Sequence, residues 1–552
     1  MQFFRRKSAA VASETPSSKP NASHDPSPAP LVADQKITFI AVVLGIVASI
    51  GGFMFGYVGG QISGFFAMED YGRRFGVWDE STNEWAFNPA RNGAIVGLLS
   101  AGCLVGSLVA GRIADTMGRR IAISVSSLFT MIGTIIEISS QTSWVQYAIG
   151  RLVTGFGIGS LSVLVPMYQS ESSPAIIRGV LISTYQLFIT LGIWVAEMVN
   201  FGTHEMEGSA SWRIPSGLMF LWALILGGGI LFLPESPRYA YRTGNEEEAR
   251  RTIARLAGLN IDAPSINLQI NEIREKLDEE RAGAETKWWE IFTGPRMLYR
   301  TLLGVVLQTG QQLTGVNFFF YYGTTIFKST GLSDSYVTQI ILGSVNVFCT
   351  FGGLWVAKNC GRRNALMIGA AWMMMCFLVY SFVGRFVLDP TNPANTPGAG
   401  AVLVTFSCLF IVAFATTWGP LVWAVVAELY PARYRAPAMA IATASNWFWN
   451  FMMSFFTRFI TDSIGYLYGL VFAGCCGALV LIVFFFVIES KDRTLEEIDT
   501  MYLLRVSPIS SGKWRPENEN AVNTAKGSAT SSGRDSPQDS DRADHIEKGV
   551  VV

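Results

Sequence analysis

Charged residues are scarce in this sequence. Only 15% of its 552 residues are Asp, Glu, Lys or Arg, and 42 acidic residues balance 42 basic ones. Proteins that bind nucleic acid carry an excess of basic residues, so we expect no nucleic-acid partner. The few histidines, His24, His204 and His545, are far apart in the chain. Because the sequence also shows no nucleophile beside a base and no phosphate-binding loop, it predicts neither an enzyme nor a bound metal or cofactor.

A cleavable signal peptide is also missing. The N-terminal stretch MQFFRRKSAAVASETPSSKP is polar, is rich in Pro and Ser, and contains no apolar core. The 7 cysteines lie mostly within apolar segments and lack the spacing of a zinc site. We therefore expect them to serve as small packing residues.

Long apolar segments are abundant. Hydrophobic residues make up 50% of the chain, aromatic residues 12%, and the mean hydropathy is +0.33, which is typical of a polytopic membrane protein. Runs of the roughly 20 residues that a bilayer requires occur in two sets of six, numbered here as helices 1 to 12. Helices 1 to 6 are predicted near 37–58, 92–113, 121–141, 144–168, 179–201 and 213–233. Helices 7 to 12 are predicted near 299–322, 336–357, 364–388, 400–427, 437–460 and 466–487.

The sequence therefore predicts an all-α membrane protein made of two six-helix bundles. The predicted parts are a disordered cytosolic N-terminal tail (1–36), an N-terminal bundle (37–233), a cytosolic helical linker (234–298), a C-terminal bundle (299–488) and a cytosolic, mostly disordered C-terminal tail (489–552). Basic residues concentrate in the short loops after helices 2, 4, 8 and 10, which all lie on one side. By the positive-inside rule, both termini are expected in the cytosol.

The two halves repeat each other's motifs. GRIADTMGRR after helix 2 is answered by VAKNCGRR after helix 8, and YQSESSPAIIRG after helix 4 by AELYPARYRAP after helix 10. LPESPRY after helix 6 is likewise answered by VIESKDR after helix 12. Repeated halves with a ligand at their interface are typical of transporters.

Three amides interrupt the apolar helix 7. Gln311, Gln312 and Asn317 lie in QTGQQLTGVNFFFYY, and an unpaired amide facing hydrocarbon costs several kcal/mol. We expect them to line a wet cavity that suits a neutral, hydroxyl-rich ligand such as a sugar. In an unbroken helix Asn317 would point away from Gln311, so the sequence predicts a break near Gly315.

Several ordered motifs carry a family resemblance: GRIADTMGRR, RLVTGFGIGS, PESPR, QQLTGVN, GPLVWAVVAELYPARYR and SNWFWNF. Over roughly 37 to 500 the chain resembles the sugar porter family of the major facilitator superfamily, most of all fungal hexose transporters. The resemblance implies the major facilitator fold, with two pseudo-symmetric six-helix bundles that expose a central sugar site alternately to each side.

The resemblance also implies site residues. The implied substrate-binding residues are Gln186, Gln311, Gln312, Asn317, Asn346, Trp423, Asn446 and Asn450, and the implied gate residues are Tyr321 and Tyr322. Some alternatives stay open: an interhelical hydrogen bond for Gln186, helix–helix adhesion for Asn346 and membrane-interface anchoring for the tyrosines. Beside Trp423, Gly419-Pro420 is expected to break helix 10.

Charged residues at the cytosolic loops match the family's inner latch of salt bridges, which can stabilise the outward-open state and break when the cytosolic side opens. The implied latch residues are Asp115, Arg119, Arg120, Glu171, Arg178, Glu235, Arg238, Arg362, Arg363, Glu428 and Arg435. Lys358 stands where the family usually has an acid, and we expect it to weaken the latch of the C-terminal half.

Helix 1 departs from the family pattern. Proton-coupled members commonly read FGYD there, whereas this chain reads Phe55-Gly56-Tyr57-Val58. Valine cannot titrate, which favours facilitated diffusion. Glu137, an acid within helix 3, is expected at the membrane interface.

The sequence thus predicts a plasma-membrane transporter of glucose and related hexoses, with xylose as a further candidate, acting as a monomer whose partners are a small neutral sugar and membrane lipid. The alternatives are a sugar:proton symporter and a sugar sensor that does not transport.

Overall fold

The computed structural model of the chain describes residues 36–80, 84–174, 176–283, 289–328, 334–389, 395–491 and 493–514. Most of the predicted N-terminal tail, at 1–35, and the end of the predicted C-terminal tail, at 515–552, lie outside the described residues. Helices 1 to 6 are Phe39–Phe65, Pro89–Met117, Arg119–Ser139, Trp144–Ser172, Arg178–Thr203 and Ala210–Gly229. Helix 7 consists of Met297–Leu313 and Val316–Lys328. Helices 8 to 12 are Ser335–Asn359, Arg362–Phe386, Pro397–Glu428, Ala432–Ile464 and Tyr468–Phe486.

These helices account for the predicted membrane crossings. Within the described residues, 10 helical segments are long and apolar enough to span a bilayer. One of them covers helices 11 and 12 together, and helix 7 is missing from that count because it is split into two shorter pieces. The structure therefore supports the predicted twelve-helix architecture.

Shorter elements lie at the two ends of the bundles. Between helices 1 and 2 are a helix, Glu69–Phe75, and an antiparallel hairpin of strands Val77–Asp79 and Glu84–Ala86. The linker at the opposite end contains helices Pro237–Arg242, Glu246–Ala257, Pro264–Gly283 and Glu290–Thr293. We call the end that holds the linker the linker side and the opposite end the far side.

Close helix packing depends on glycine. In the N-terminal bundle, a Cβ atom at Gly56 of helix 1 would overlap the carbonyl oxygen of Ile189 on helix 5, and one at Gly102 of helix 2 would overlap that of Leu152 on helix 4. Small residues let membrane helices approach backbone to backbone, where dispersion contacts hold them together. The bundle thus owes its compactness to residues without side chains.

Helix 10 differs from expectation. Gly419-Pro420 does not break it, because the α-helix ending at Ala413 continues through a π-helical turn, Phe414–Trp418, into a further α-helical segment, Gly419–Glu428. Proline sits in the first turn of that segment, where its missing N–H is tolerated. The wider turn re-registers the backbone around the proline without interrupting the helix.

The start of the predicted C-terminal tail is folded. A helix at Leu495–Leu503 begins with a capping box between Thr494 and Glu497. Asp499 pairs with the buried Arg300 of helix 7 at 2.6 Å. This ion pair with a residue distant in the sequence holds the first part of the tail in place, while the expectation that the tail as a whole is mostly disordered stays a prediction because 515–552 lie outside the described residues.

Candidate functional site

Helix 7 is broken at the predicted position. Its first half ends at Leu313, the second begins at Val316, and Gly315 between them has a φ of 89°. L-residues with a side chain rarely adopt this left-handed conformation. A Cβ at Gly315 would also lie 2.7 Å from Phe472 and 2.9 Å from Phe377. The break is thus encoded by one glycine and confirmed by the structure.

The break brings amides of helices 7 and 11 together. Gln312 donates from Nε2 to Oδ1 of Asn446 at 2.9 Å, while its Oε1 accepts from Nδ2 of Asn317 at 2.5 Å and from Nδ2 of Asn450 at 3.1 Å. Asn446 also donates to Oε1 of Gln311 at 2.8 Å. Five of the predicted residues therefore form one connected network, which we call the amide network.

Gln308 is a member of the network that sequence reasoning missed. Its Oε1 accepts from Nδ2 of Asn446 at 2.7 Å, and its own Nε2 is buried without a hydrogen-bond partner in the part of the chain that the structure describes. The available signal was its spacing, because Gln308 precedes Gln311 and Gln312 by about one helical turn. Its free donor leaves the network able to bind a further acceptor.

Gln311 also ties helix 7 to helix 10. Its Nε2 donates to the backbone carbonyls of Trp418 at 2.9 Å and Gly419 at 3.1 Å, where the π-helical turn meets the following segment. Trp423 lies one turn further along helix 10 and is half-buried. The break in helix 7 and the π-helical turn of helix 10 thus lie next to each other.

Two predicted amides remain outside this network. Gln186 on helix 5 is half-buried and Asn346 on helix 8 is 4% exposed. Neither side chain forms a hydrogen bond with another described residue, so the alternatives of an interhelical bond for Gln186 and of hydrogen-bonded adhesion for Asn346 find no partner within that part of the chain. Both keep their donors and acceptors available.

The two predicted gate tyrosines are buried. Tyr321 lies 3.5 Å from Oδ1 of Asn450 through its hydroxyl, and Tyr322 donates to the carbonyl of Ser454 at 2.5 Å. Their exposed fractions are 7% and 4%, so anchoring at the membrane interface does not describe their position. Tyr321 connects the amide network to the second half of helix 7.

The bundles contact each other on the far side. The hydroxyls of Ser63 and Thr324 join helices 1 and 7 at 2.8 Å, and Nε2 of Gln339 on helix 8 donates to Ser63 at 3.1 Å. Nε1 of Trp194 on helix 5 donates to Ser344 on helix 8 at 2.8 Å. We call this set of contacts the far-side seam, and it is closed in this structure.

The predicted latch residues lie on the linker side. In the N-terminal half, Nε of Arg119 contacts Glu171 at 2.8 Å and Nη2 contacts it at 3.0 Å, while Asp115 approaches Arg119 to 3.5 Å and Arg242 to 2.8 Å. Glu235 accepts from the backbone N–H groups of Arg119 and Arg120 at the start of helix 3. A carboxylate at a helix N-terminus stabilises the free N–H groups there.

The C-terminal half repeats this arrangement. Arg362 contacts Glu428 at 3.4 Å, and the backbone N–H groups of Arg362 and Arg363 donate to Glu489 at the start of helix 9. Ser490 donates to Glu428 at 2.5 Å, as Ser236 does to Glu171. Sequence reasoning left out Glu489 and Ser490, although the echo of PESPR by IESKD pointed to them.

The last latch residues sit at helix starts. Arg178 donates to the carbonyl of Ser173 at 3.2 Å, and Arg435 donates to that of Tyr430 at 3.1 Å, again in equivalent positions of the halves. Arg238 lies in the first linker helix. The ion pairs resolved above connect helices and loops within one half each, so they hold each bundle's linker-side end together.

Glu137 is buried between helices 3 and 4. It is 2% exposed, accepts from Thr154 at 2.6 Å and is attracted by the buried Arg151. It lies two residues before the end of helix 3, so its expected position near the membrane interface stays a prediction. Arg151 in turn donates to the carbonyl of Val58, the helix 1 position where the expected acid is absent. The contact of Glu137 with helix 4 could not be predicted from the spacing of residues along helix 3.

Comparisons with known proteins agree with this architecture. The family model described as sugar (and other) transporter matches residues 44–502. The chain is 44% identical over 483 residues to a high-affinity fructose transporter of Schizosaccharomyces pombe, covering 87% of this chain and 90% of that protein. It is 43% identical over 481 residues to a low-affinity glucose transporter of Saccharomyces cerevisiae, covering 87% and 85%.

Solved structures share the fold. The inward-open conformation of the E. coli xylose transporter matches with a TM-score of 0.69 at 24% identity, covering 84% of this chain and 99% of that one. Its partially occluded inward-open conformation matches with a TM-score of 0.67 at 23% identity, covering 83% and 100%. The predicted major facilitator fold is confirmed. The chain belongs to the sugar (and other) transporter family, and it is a multi-pass membrane transporter, not an enzyme.

Proposed function

We propose that this chain carries glucose-type hexoses across the plasma membrane by facilitated diffusion, acting as a monomer through alternating access. The observation that carries the proposal is the amide network at the break of helix 7. Gln311 and Asn317, which an unbroken helix would aim apart, join one set of hydrogen bonds with helix 11. Xylose is a further candidate substrate of the same site.

The chemistry of the site suits a neutral sugar. Each amide offers both donors and acceptors, which pair with hydroxyl groups that also do both. The free side chains of Gln186 and Asn346 supply further groups from helices 5 and 8, and the indole of Trp423 offers a flat apolar face for the C–H side of a pyranose ring. Binding of a neutral sugar does not require a charged side chain in the site.

Orientation follows from the basic residues of the linker side. Arg119, Arg120, Arg362 and Arg363 are the first residues of helices 3 and 9 at the linker side, and basic residues beside short loops favour a cytosolic position. We therefore assign the linker side and both termini to the cytosol and the far side to the exterior. In this assignment the structure is inward-facing, because the far-side seam is closed. We further propose that the latch residues on the linker side stabilise the outward-open state.

Facilitated diffusion is favoured over symport by helix 1. Val58 is 1% exposed and its side chain cannot carry a proton. The similar fungal proteins, a fructose transporter and a glucose transporter, support hexose as the substrate and disfavour a sensor that does not transport.

Uptake of labelled sugars tests the proposal. The chain is expressed in a host without its own hexose carriers, and initial uptake of glucose, fructose and xylose is measured with and without a protonophore. We expect saturable hexose uptake that persists with the protonophore and no alkalinisation of the medium by energy-depleted cells. Sugar-dependent alkalinisation would establish symport, and the absence of uptake of every sugar from correctly inserted protein would contradict the proposal.

A further inference from the structure

A buried acid lies between the two bundles on the far side. Glu197 of helix 5 is 5% exposed, and a Cβ atom at Gly343 of helix 8 would overlap its Oε2 atom. One turn before it on helix 5, Trp194 donates to Ser344 within the far-side seam. The carboxyl group of Glu197 therefore fills the space between helices 5 and 8 that the missing side chain of Gly343 leaves.

This carboxyl group has no partner among the described residues. Its Oε2 is buried and forms no hydrogen bond with any described residue. Helix 5 packs against helices 1, 4, 6 and 8. The charged or titratable residues of these five helices are otherwise Tyr57, Tyr147, Arg151, Tyr168, Glu171, Arg178, Tyr185, Arg213, Tyr336, Cys349 and Lys358, with His204 directly after helix 5.

None of these residues compensates a charge on Glu197. The two arginines nearest the far side bind other groups. Arg151 donates to the carbonyls of Val58 and Ile95, and Arg213 donates to Ser140 and Ser209. An unpaired carboxylate in a low-dielectric site costs several kcal/mol. With the seam closed, the group is therefore stable only as the neutral acid.

We propose that Glu197 is a proton-binding site that couples closure of the far-side seam to the external pH. When the seam opens, extracellular water solvates the carboxylate and the proton leaves to the exterior. When it closes, the carboxylate takes up one proton from the exterior and enters the seam as a neutral acid. This inference rests on the proposed orientation, since the far side must face the medium.

The proton returns to the side from which it came. The cycle therefore makes transport depend on external pH without moving net charge or protons across the membrane, which agrees with facilitated diffusion. An exposed glutamate has a pKa of about 4.3, and above that value each pH unit lowers the equilibrium constant for proton-linked closure by about tenfold. Uptake should therefore decline as the medium becomes less acidic.

Asp70 is unsuited to produce the same dependence. Burial would raise the pKa of this far-side acid, but hydrogen bonds from Arg74, Arg73 and Trp212 together hold its pKa below the ordinary value. Its contribution to stability is present above its unfolded pKa and is lost only as the pH falls through the lower folded pKa. The ordinary pKa of Asp is ~3.9, and the pH values of the test, about 5 and about 7.5, both lie about one unit or more above it. Asp70 thus stays ionised at both pH values.

The first test is uptake at two external pH values. Initial glucose uptake is measured at about pH 5 and about pH 7.5, with a protonophore present and the cytosolic pH buffered, for the native chain, Glu197→Gln, Glu197→Asp and the control His204→Gln. We expect the native chain, Glu197→Asp and His204→Gln to lose about tenfold or more of their uptake at the higher pH, and Glu197→Gln to lose less than about twofold. A pH ratio unchanged in Glu197→Gln, or abolished in His204→Gln, would overturn the proposal.

A second test does not depend on sugar transport. Thr324→Cys places a thiol in the seam, and a membrane-impermeant thiol reagent added outside reports how often the seam opens. Because thiol reactivity itself rises with pH, the rates are compared between Thr324→Cys alone and Thr324→Cys combined with Glu197→Gln. If the labelling rate rises more steeply with pH in Thr324→Cys alone than in the double variant, the proposal is supported even if glucose is not the substrate. Equal rises of the labelling rate in both proteins would refute it.

Discussion

The N-terminal half holds its linker-side ion pair more tightly than the C-terminal half does. Arg119 and Glu171 meet at 2.8 Å with side chains 5% and 9% exposed, whereas Arg362 and Glu428 meet at 3.4 Å with side chains 21% and 23% exposed. The backbone plan is the same in both, since Glu235 and Glu489 each accept from the start of the next helix. The two ion pairs differ because the side chains around them differ, while the backbone arrangement is the same.

One local difference in charge accompanies this contrast. Asp115, near the end of helix 2, contacts Arg119 at 3.5 Å, whereas the equivalent position in the C-terminal half is Lys358, which cannot form an ion pair with Arg362. The looser half is also the half with the broken helix 7 and the amide network. The comparison teaches that duplicated halves keep their backbone framework while their side chains diverge, one toward a rigid end and the other toward a binding site.

Removing the arginine from each half should give the largest contrast. Arg119→Ala leaves Glu171 buried without its charged partner and should destabilise the protein by about 3–5 kcal/mol. Arg362→Ala removes a partly exposed pair and should cost about 1 kcal/mol or less. Thermal unfolding of the purified variants in detergent measures both, with Arg251→Ala, from the exposed linker pair of Arg251 and Glu247, as the control. Equal losses in the two halves would break the comparison.

Gly315→Ala tests whether the C-terminal half needs its helix break. The left-handed conformation costs a residue with a side chain about 1–2 kcal/mol, and the new methyl group collides with Phe472 and Phe377. We expect hexose uptake to fall by about tenfold or more at equal surface expression. Gly474→Ala in helix 12 is the matched control, because a Cβ there meets nothing within 4 Å. Normal uptake by Gly315→Ala would mean that the break is dispensable.

Gln312→Ala and Gln186→Ala compare the two halves as binding surfaces. Gln312 connects three other amides, so its loss disorders the network and should raise the apparent KM by about tenfold. Gln186 has no partner within the described residues, so its loss removes only its own sugar contact and should raise KM by about threefold. Concentration-dependent uptake measures both, and the reverse order would assign the dominant contacts to the N-terminal half.

Lys358→Asp should produce the smallest effect. It recreates in the C-terminal half the spacing of Asp115 and Arg119, and an exposed pair of this kind contributes about 0.3–0.5 kcal/mol. We expect a small rise in the unfolding temperature that disappears at high salt. Lys358→Ala is the control, because it removes the repulsion without adding the attraction. A fall in stability with Asp would show that Lys358 supports the C-terminal half in another way.

The sequence was informative wherever a signal lies within one helix. Apolar runs located the helices, the repeated motifs revealed the two halves, and the angular spacing of Gln311 and Asn317 predicted the break at Gly315. It was uninformative about contacts between helices that are distant in the chain. The partners of Glu137 were not predicted because Thr154 and Arg151 lie on another helix, and Glu197 was overlooked because its isolation becomes visible only against Gly343.

Kinetics of labelled glucose uptake by the native chain and Gln311→Ala, at matched amounts in the plasma membrane, test the central claim most directly. Gln311 joins helices 7, 10 and 11, and its removal does not hinder membrane insertion because one buried amide fewer makes helix 7 more apolar. The account predicts saturable uptake by the native chain and an apparent KM raised by about tenfold in the variant. An unchanged KM in a well-inserted variant would contradict it.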